Sequence, residues 1–177
     1  SYATRHPGHP GALILVSTAA RIDFDIMYAA FERIGGSEIR KLAEDYWSNP
    51  TDESRKAYRE TCVPYYTVQN INWPELIGRA VVRDDVSQHF AGPGNEMYRF
   101  DFRNDLARIS CPTLVMAGVE DPITPPAFSE EIDGHIPRKH VRLERFSQAG
   151  HGVVPDRPEE AFSAIRRFIA RHLEHLI

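Results

Sequence analysis

The sequence has few cysteines, no long apolar run and no excess of basic residues. Its 177 residues include only Cys62 and Cys111, and neither has the CxxC or CxxH spacing of a metal site. No apolar segment approaches the roughly 20 residues needed to span a bilayer. The formal net charge of −4 disfavours nucleic acid and anionic membranes as partners. We therefore expect reduced thiols, a cytoplasmic location, and neither nucleic acid nor a membrane as partner.

Three short apolar segments predict β-strands, and a longer one predicts a helix. Residues 13–16 and 114–116 are continuous apolar runs, typical of parallel strands covered on both faces. In residues 140–146, HVRLERF, apolar and charged residues alternate, which indicates a strand at a sheet edge. From Pro158 onward the apolar spacing predicts a long amphipathic helix. Its stripe comprises Ala161, Phe162, Ile165, Phe168, Ile169, Leu173 and Leu176.

Helical periodicity fills the chain between the first and second predicted strands. It is present in residues 24–34, 37–47 and 52–62, with GGS, SNPT and VPYY at the breaks. Thr51 or Asp52 is a candidate N-cap of the third helix. The order strand, helical insertion, strand, strand and long helix predicts an α/β fold with a lid. The predicted division is a core segment at 1–23, a helical lid at 24–102 and a second core segment at 103–177.

Two loops that directly follow predicted strands carry candidate catalytic residues. AGVEDPITPP presents Glu120 and Asp121 after the second strand, and FSQAGHGVVPDRP presents His151 after the third. Because the carboxyl ends of parallel strands meet at one sheet edge, a carboxylate and an imidazole on these loops can meet. The carboxylate would then orient the imidazole, so that the ring serves as a general base. Taken singly, Asp121 also fits a turn-forming role and His151 an ordinary loop position.

A resemblance to a known family rests on three segments. RISCPTLVMAGVEDPITPP and RLERFSQAGHGVVPDRPEEAFSAIRRFI together resemble the C-terminal half of α/β-hydrolase fold enzymes, and most of all the proline iminopeptidase-like branch. YATRHPGHPGALILVSTAAR resembles the end of the nucleophile helix and the sixth strand of that fold. The resemblance implies the last three parallel strands, the sixth to eighth, with an inserted helical lid. It also implies that Asp121 is the triad acid and His151 the triad base, with no cofactor and no metal. Glu120 is disfavoured as the acid because Asp121 occupies the last position of the G-x-x-D pattern.

The nucleophile motif of that family, G-x-S-x-G, does not occur in the 177 residues, and the HGGG-type oxyanion loop is absent as well. The resemblance therefore implies that the nucleophile lies on a separate polypeptide, an N-terminal fragment of the same hydrolase. That fragment would also cover the open edge of the first strand, since native proteins pair or cover bare apolar edges. A less favoured alternative makes Ser1 an N-terminal nucleophile that uses its own amine as the base.

The resemblance implies a hydrolase for a small ester or amide, with an N-terminal prolyl peptide bond among the candidates. An aminopeptidase would also need a lid carboxylate to hold the ammonium group of its substrate. The candidates are Glu32, Glu38, Glu44, Glu60 and Glu75. Two alternatives stay open: an epoxide hydrolase or dehalogenase relative with an aspartate nucleophile, and a non-catalytic ligand-binding member. Only the identity of the nucleophile residue separates serine from aspartate chemistry.

Overall fold

Three parallel strands form the sheet, as the apolar runs predict. The computed structural model describes residues 2–81 and 83–173, so Ser1 and Leu176, which entered the sequence predictions, lie outside the described residues. The strands are β1 (Leu13–Val16), β2 (Thr113–Gly118) and β3 (Val141–Phe146), in the spatial order β1-β2-β3. Leu13 pairs with Thr113, and Thr113 pairs in turn with Val141. The predicted α/β class and the three parallel strands are confirmed.

Helices precede, separate and follow the strands. The α-helices are α1 (Tyr2–Arg5), α2 (Phe24–Gly35), α3 (Ser37–Ser48), α4 (Asp52–Ala57), α5 (Trp73–Arg79), α6 (Asp84–Phe90), α7 (Glu96–Arg99), α8 (Arg103–Leu106), α9 (Pro126–His135), α10 (Val153–Asp156) and α11 (Pro158–Leu173). A π-helical turn, Tyr58–Cys62, and a 3-10 turn, Val63–Tyr66, follow α4. Within the described part of the chain, no helix combines the length and the apolar character that crossing a membrane requires.

Thr51, rather than Asp52, is the N-cap of α4. Its hydroxyl accepts a hydrogen bond from the main-chain N–H of Ser54 (3.1 Å), and the Ser54 hydroxyl accepts one from the main-chain N–H of Thr51 (2.9 Å). This reciprocal capping box satisfies two N–H groups that the first turn of a helix leaves without partners. The cap fixes where the chain re-enters a helix within the lid segment.

Alternate residues of β1 pack into apolar clusters on opposite faces of the sheet. Leu13 and Leu15 contact the cluster around α9, which contains Ile132, whereas Ile14 and Val16 contact the cluster around α11, which contains Phe168. β2 is buried along its whole length, but every residue of β1 is only half-buried. The apolar run of β1 predicts burial on both faces. The structure differs because, among the described strands, β1 has a neighbour on one side only.

The apolar stripe of α11 is narrower than its sequence predicts. Ala161, Ala164 and Phe168 are buried against β2, β3 and α10. Phe162, which the helical spacing places in the stripe, is 48% exposed. Its position lies at the margin of the stripe, one residue after Ala161, so the sheet covers its neighbour and leaves its ring in solvent.

The lid segment has an apolar core of its own that continues into the core segment. Met27 and Phe31 of α2 belong to the same buried cluster as Ile123 and Phe128, which follow β2. The two connections to the lid lie side by side, since the main-chain N–H of Phe102 donates to the carbonyl oxygen of Ala20 (2.9 Å). The lid is therefore packed directly on the loop that contains Asp121.

Candidate functional site

The carboxylate of Asp121 is fully buried in the loop that follows β2. Its Oδ1 accepts hydrogen bonds from the main-chain N–H groups of Ile123 (2.8 Å) and Thr124 (2.9 Å), and its Oδ2 accepts one from the Thr124 hydroxyl (2.7 Å). An Asp that accepts from N–H groups two and three residues later forms an Asx turn, so the turn-forming role is present. The three donors hold the carboxylate in one orientation and offset the desolvation of its charge.

His151, in the loop after β3, lies against this carboxylate. Its Nδ1 is 2.9 Å from Asp121 Oδ2 and 3.3 Å from the Thr124 hydroxyl oxygen. The His151 side chain is 33% exposed, whereas Asp121 is inaccessible to solvent. In the tautomer that this geometry favours, Nδ1–H donates to the carboxylate and Nε2 carries the lone pair. The structure thus brings together the acid and the histidine that the two loop motifs predict.

Glu120, the other acidic candidate, joins the two loops instead. Its Oε2 accepts a hydrogen bond from the main-chain N–H of Ala149 (3.1 Å), and its own N–H donates to the Ala149 carbonyl oxygen (2.9 Å). The loops approach so closely that a Cβ added at Gly118 would lie 2.1 Å from the carbonyl oxygen of Gly150. Glycine at the end of β2 therefore permits the contact that places His151 over Asp121.

A short lid segment, residues 66–69, packs on the loop of His151, and we call it the lid strap. The Tyr66 carbonyl oxygen accepts a hydrogen bond from the main-chain N–H of His151 (2.7 Å). The Tyr66 ring meets the His151 ring edge-on, with the ring centroids 5.6 Å apart. A Cβ at Gly150 would lie 2.5 Å from the Tyr66 carbonyl oxygen, so this contact also depends on a glycine.

Asp156, at the end of α10, is a second buried carboxylate, which sequence reasoning did not single out. It is 4% exposed, and its Oδ2 accepts hydrogen bonds from the main-chain N–H groups of Gly150 (2.7 Å) and Val68 (3.3 Å). The Thr67 hydroxyl donates to its Oδ1. Two of these partners, Thr67 and Val68, lie 89 and 88 positions away in the sequence, and no motif links them to Asp156.

Hydrogen-bonded aromatic side chains extend from Tyr66 into the lid core. The hydroxyl oxygens of Tyr58 and Tyr66 are 2.6 Å apart, and the Trp47 indole N–H donates to the Tyr58 hydroxyl (3.2 Å). Burial raises the pKa of both phenols above the ordinary value of 10.0. Burial also raises the pKa of the nearby Cys62 thiol to about 12.

The lid glutamates considered for a substrate ammonium are Glu32, Glu38, Glu44, Glu60 and Glu75. Arg40 pairs with Glu32 (2.8 Å) and with Glu44 (2.7 Å), and Arg79 lies 4.0 Å from Glu75. Glu38 and Glu60 are exposed. These contacts are typical of solvated helix faces, where ion pairs contribute little to stability.

Known proteins of similar sequence or structure indicate the fold of this chain. No protein-family model matches the sequence. Over 68 residues, 38% of this chain and 25% of the other, the sequence is 37% identical to the AB hydrolase superfamily protein YisY of Bacillus subtilis. The structure is similar to proline iminopeptidase of Mycobacterium smegmatis, with a TM-score of 0.68, 18% identity, and coverage of 96% of this chain and 60% of that one. A thermophilic esterase from Thermogutta terrifontis is also similar, with a TM-score of 0.56, 24% identity, and coverage of 97% and 60%.

These similarities confirm the predicted resemblance. The chain spans about 60% of the length of these solved structures and a quarter of the curated relative.

Proposed function

Because the chain has the fold of the C-terminal part of an α/β-hydrolase, we propose that it carries the acid and the base of a hydrolase active site. Asp121 is the acid that orients the base, and His151 is the base. The observation that carries this proposal is the 2.9 Å contact between His151 Nδ1 and Asp121 Oδ2. Its support comes from the order acid then histidine along the chain, on loops after successive strands, which is the order found in this fold.

In the proposed reaction, His151 Nε2 takes the proton of a nucleophile hydroxyl as the hydroxyl oxygen attacks the substrate carbonyl carbon. Asp121 accepts the Nδ1–H hydrogen bond throughout and stabilises the imidazolium that forms. His151 then donates the proton to the leaving alcohol or amine, which departs as the acyl-enzyme forms. In the second half, His151 takes a proton from a water molecule as the water oxygen attacks the acyl carbon, and it then gives that proton to the departing nucleophile oxygen.

The proposed substrate is a small ester or amide, with an N-terminal prolyl bond as one candidate. Two proteins of similar structure, a proline iminopeptidase and an esterase, support this substrate class. The Tyr66 ring lies beside the partly exposed His151 side chain and offers an apolar surface for such a substrate. Both cysteines are unpaired thiols, which supports a reducing, cytoplasmic setting.

The nucleophile in this proposal comes from a polypeptide segment outside the 177 residues, one that pairs with the outer edge of β1. Two observations support this: the chain contains no G-x-S-x-G motif, and β1 is half-buried although its residues are all apolar. An added parallel strand would bury the outer edge of β1 and satisfy its main-chain groups. The nucleophile residue on that segment decides between serine and aspartate chemistry.

The test is denaturing intact-mass analysis of the natively purified protein, combined with hydrolysis of p-nitrophenyl acetate and of proline p-nitroanilide. The proposal expects a second polypeptide beside the 20.1 kDa chain, or one longer chain that contains these 177 residues, and hydrolysis that His151→Gln abolishes. A native sample that contains the 20.1 kDa chain alone, or hydrolysis that His151→Gln leaves intact, would overturn it.

A further inference from the structure

We propose that Asp156 is a positioning residue that fixes His151 by binding the His151 loop and the lid strap at the same time. The contribution of Asp156 to catalysis rests on the proposed function, but its hydrogen bonds do not. Asp156 touches neither His151 nor Asp121 through its carboxylate; its partners are Gly150, Thr67 and Val68. It acts through the main chain on either side of the histidine.

One carboxylate holds both sides of the contact between Tyr66 and His151. Oδ2 accepts the N–H of Gly150, the residue directly before His151, and also the N–H of Val68, two residues after Tyr66. Between these two anchors, the His151 N–H donates to the Tyr66 carbonyl oxygen. Hydrogen bonds therefore join the Asp156 carboxylate, the lid strap and the His151 loop in a closed ring. This ring fixes the main chain that carries the imidazole.

The groups that donate hydrogen bonds to the Asp156 carboxylate are uncharged. Its carboxylate is satisfied by two N–H groups and one hydroxyl, while the adjacent Arg157 pairs with Glu160 and with the Gln148 side chain. A buried carboxylate without a cation persists only where hydrogen bonds replace its hydration. Each lost donor therefore weakens the whole arrangement, because Asp156 is only 4% exposed and solvent does not readily replace the donor.

The consequence for catalysis is that the position of the lid sets the position of the base. His151 meets Asp121 on one side and the Tyr66 carbonyl on the other. If the lid strap shifts, the imidazole shifts with it relative to Asp121. Misplacement of a catalytic group by about 1 Å lowers rates by about 100-fold.

The sharpest test compares Thr67→Val with Thr67→Ser. Valine has the shape of threonine but no hydroxyl, so Asp156 Oδ1 loses its donor and the main-chain N–H of Gln69 loses its acceptor, whereas serine keeps both. Thr51→Val is the matched control, because it removes a lid hydroxyl whose partner is the main-chain N–H of Ser54 rather than a residue of the His151 loop. Gln69→Ala removes only the contact between the Gln69 side chain and the Asp156 carbonyl oxygen, and serves if Thr67→Val does not fold.

Two readouts are taken on the native protein. The first is kcat and KM for p-nitrophenyl acetate; the second is the downfield proton resonance of the Nδ1–H···Asp121 hydrogen bond, assigned with His151→Gln. For Thr67→Val we expect kcat to fall by about 10- to 100-fold with KM little changed, and the resonance to broaden into water exchange. Thr67→Ser and Thr51→Val should keep both, and Gln69→Ala should move both in the direction of Thr67→Val.

The outcomes are separable. A wild-type resonance and a wild-type kcat in Thr67→Val and in Gln69→Ala overturn the positioning role. Equal losses of kcat and of the resonance in Thr67→Val and Thr51→Val overturn it as well, since the effect would then belong to the lid in general. Loss of the resonance in Thr67→Val alone, in a protein that hydrolyses neither test substrate, supports the positioning role and contradicts the proposed function.

Discussion

The main-chain N–H of His151 donates to the main-chain carbonyl oxygen of Tyr66, at 2.7 Å. The lid as well as the sheet therefore holds the candidate base. A second bond at the side chain, from Nδ1 to Asp121, fixes the rotation of the ring. Because the two contacts come from different parts of the chain, variants of each part make separate predictions.

Asp121→Asn should abolish the proposed activity, while Glu120→Gln should leave it nearly intact. An amide at Asp121 favours the wrong imidazole tautomer, and the corresponding change in a serine protease triad lowers kcat by about 10,000-fold. Glutamine at 120 keeps an oxygen that can accept from the Ala149 N–H, so we expect less than about a threefold change. The measurement is kcat/KM for p-nitrophenyl acetate. Equal losses in the two variants would contradict the assignment of Asp121 as the acid.

Gly150→Ala should lower both the free energy of unfolding and kcat. The new Cβ would lie 2.5 Å from the Tyr66 carbonyl oxygen, and main-chain atoms cannot yield as a flexible side chain can. We expect a loss of about 2–4 kcal/mol, comparable to other overpacked or strained sites.

Gly134→Ala is the matched control for this variant. Gly134 lies in α9, and a Cβ there has no atom within 4 Å. Alanine should raise the free energy of unfolding by about 0.5–1 kcal/mol, because glycine is the poorer helix former. Urea unfolding followed by circular dichroism measures both variants, and a Gly150→Ala variant as stable as the wild type would contradict the observed proximity of the lid strap.

Tyr58→Phe should destabilise the lid core more than Tyr65→Phe. The Tyr58 hydroxyl lies between the Trp47 indole N–H and the Tyr66 hydroxyl, so its removal leaves buried polar groups without partners. That loss is about 1–3 kcal/mol, whereas half-buried Tyr65 should change by less than about 0.5 kcal/mol. The measurement is the urea midpoint at constant m-value. Equal midpoints in the two variants would mean that the hydroxyl chain adds nothing to stability.

Alkaline pH should destabilise the protein in part through Cys62. Burial raises the pKa of this thiol from 9.0 to about 12, so the folded state keeps a proton that the unfolded state releases above pH 9. Stability from this group is therefore complete below the unfolded pKa and is lost as pH rises through the window up to about 12. The expected loss between pH 8 and pH 10 is about 1 kcal/mol.

Cys62→Ala tests this by removing the titrating group. The free energy of unfolding of the variant should fall less steeply over the same pH interval, whatever its value at neutral pH. Urea unfolding at closely spaced pH values gives both slopes. Parallel slopes in wild type and variant would show that Cys62 titrates alike in the folded and unfolded states.

The sequence was sufficient for the strands and for the meeting of Asp121 with His151. Apolar runs predict strands, and the loops after parallel strands converge because of the sheet geometry itself. It was insufficient for Asp156 and for the carbonyl of Tyr66. A main-chain acceptor leaves no trace in residue identity, and the donors of Asp156 become neighbours only when the lid folds back over the core. Phe162 was misplaced for a related reason, because periodicity gives the direction of a stripe but not the width of the sheet that covers it.

Insertion of the lid between β1 and β2 has a consequence for folding kinetics. Positions 13 and 113 are partners across this ladder, whereas β2 and β3 join positions 113 and 141. The entropy lost on closing a chain loop grows with the logarithm of its length, and high contact order slows folding. We expect β2, β3 and α11 to form the folding nucleus. On the ribosome, β1 is made before the lid, but it can pair with β2 only after the whole lid has emerged.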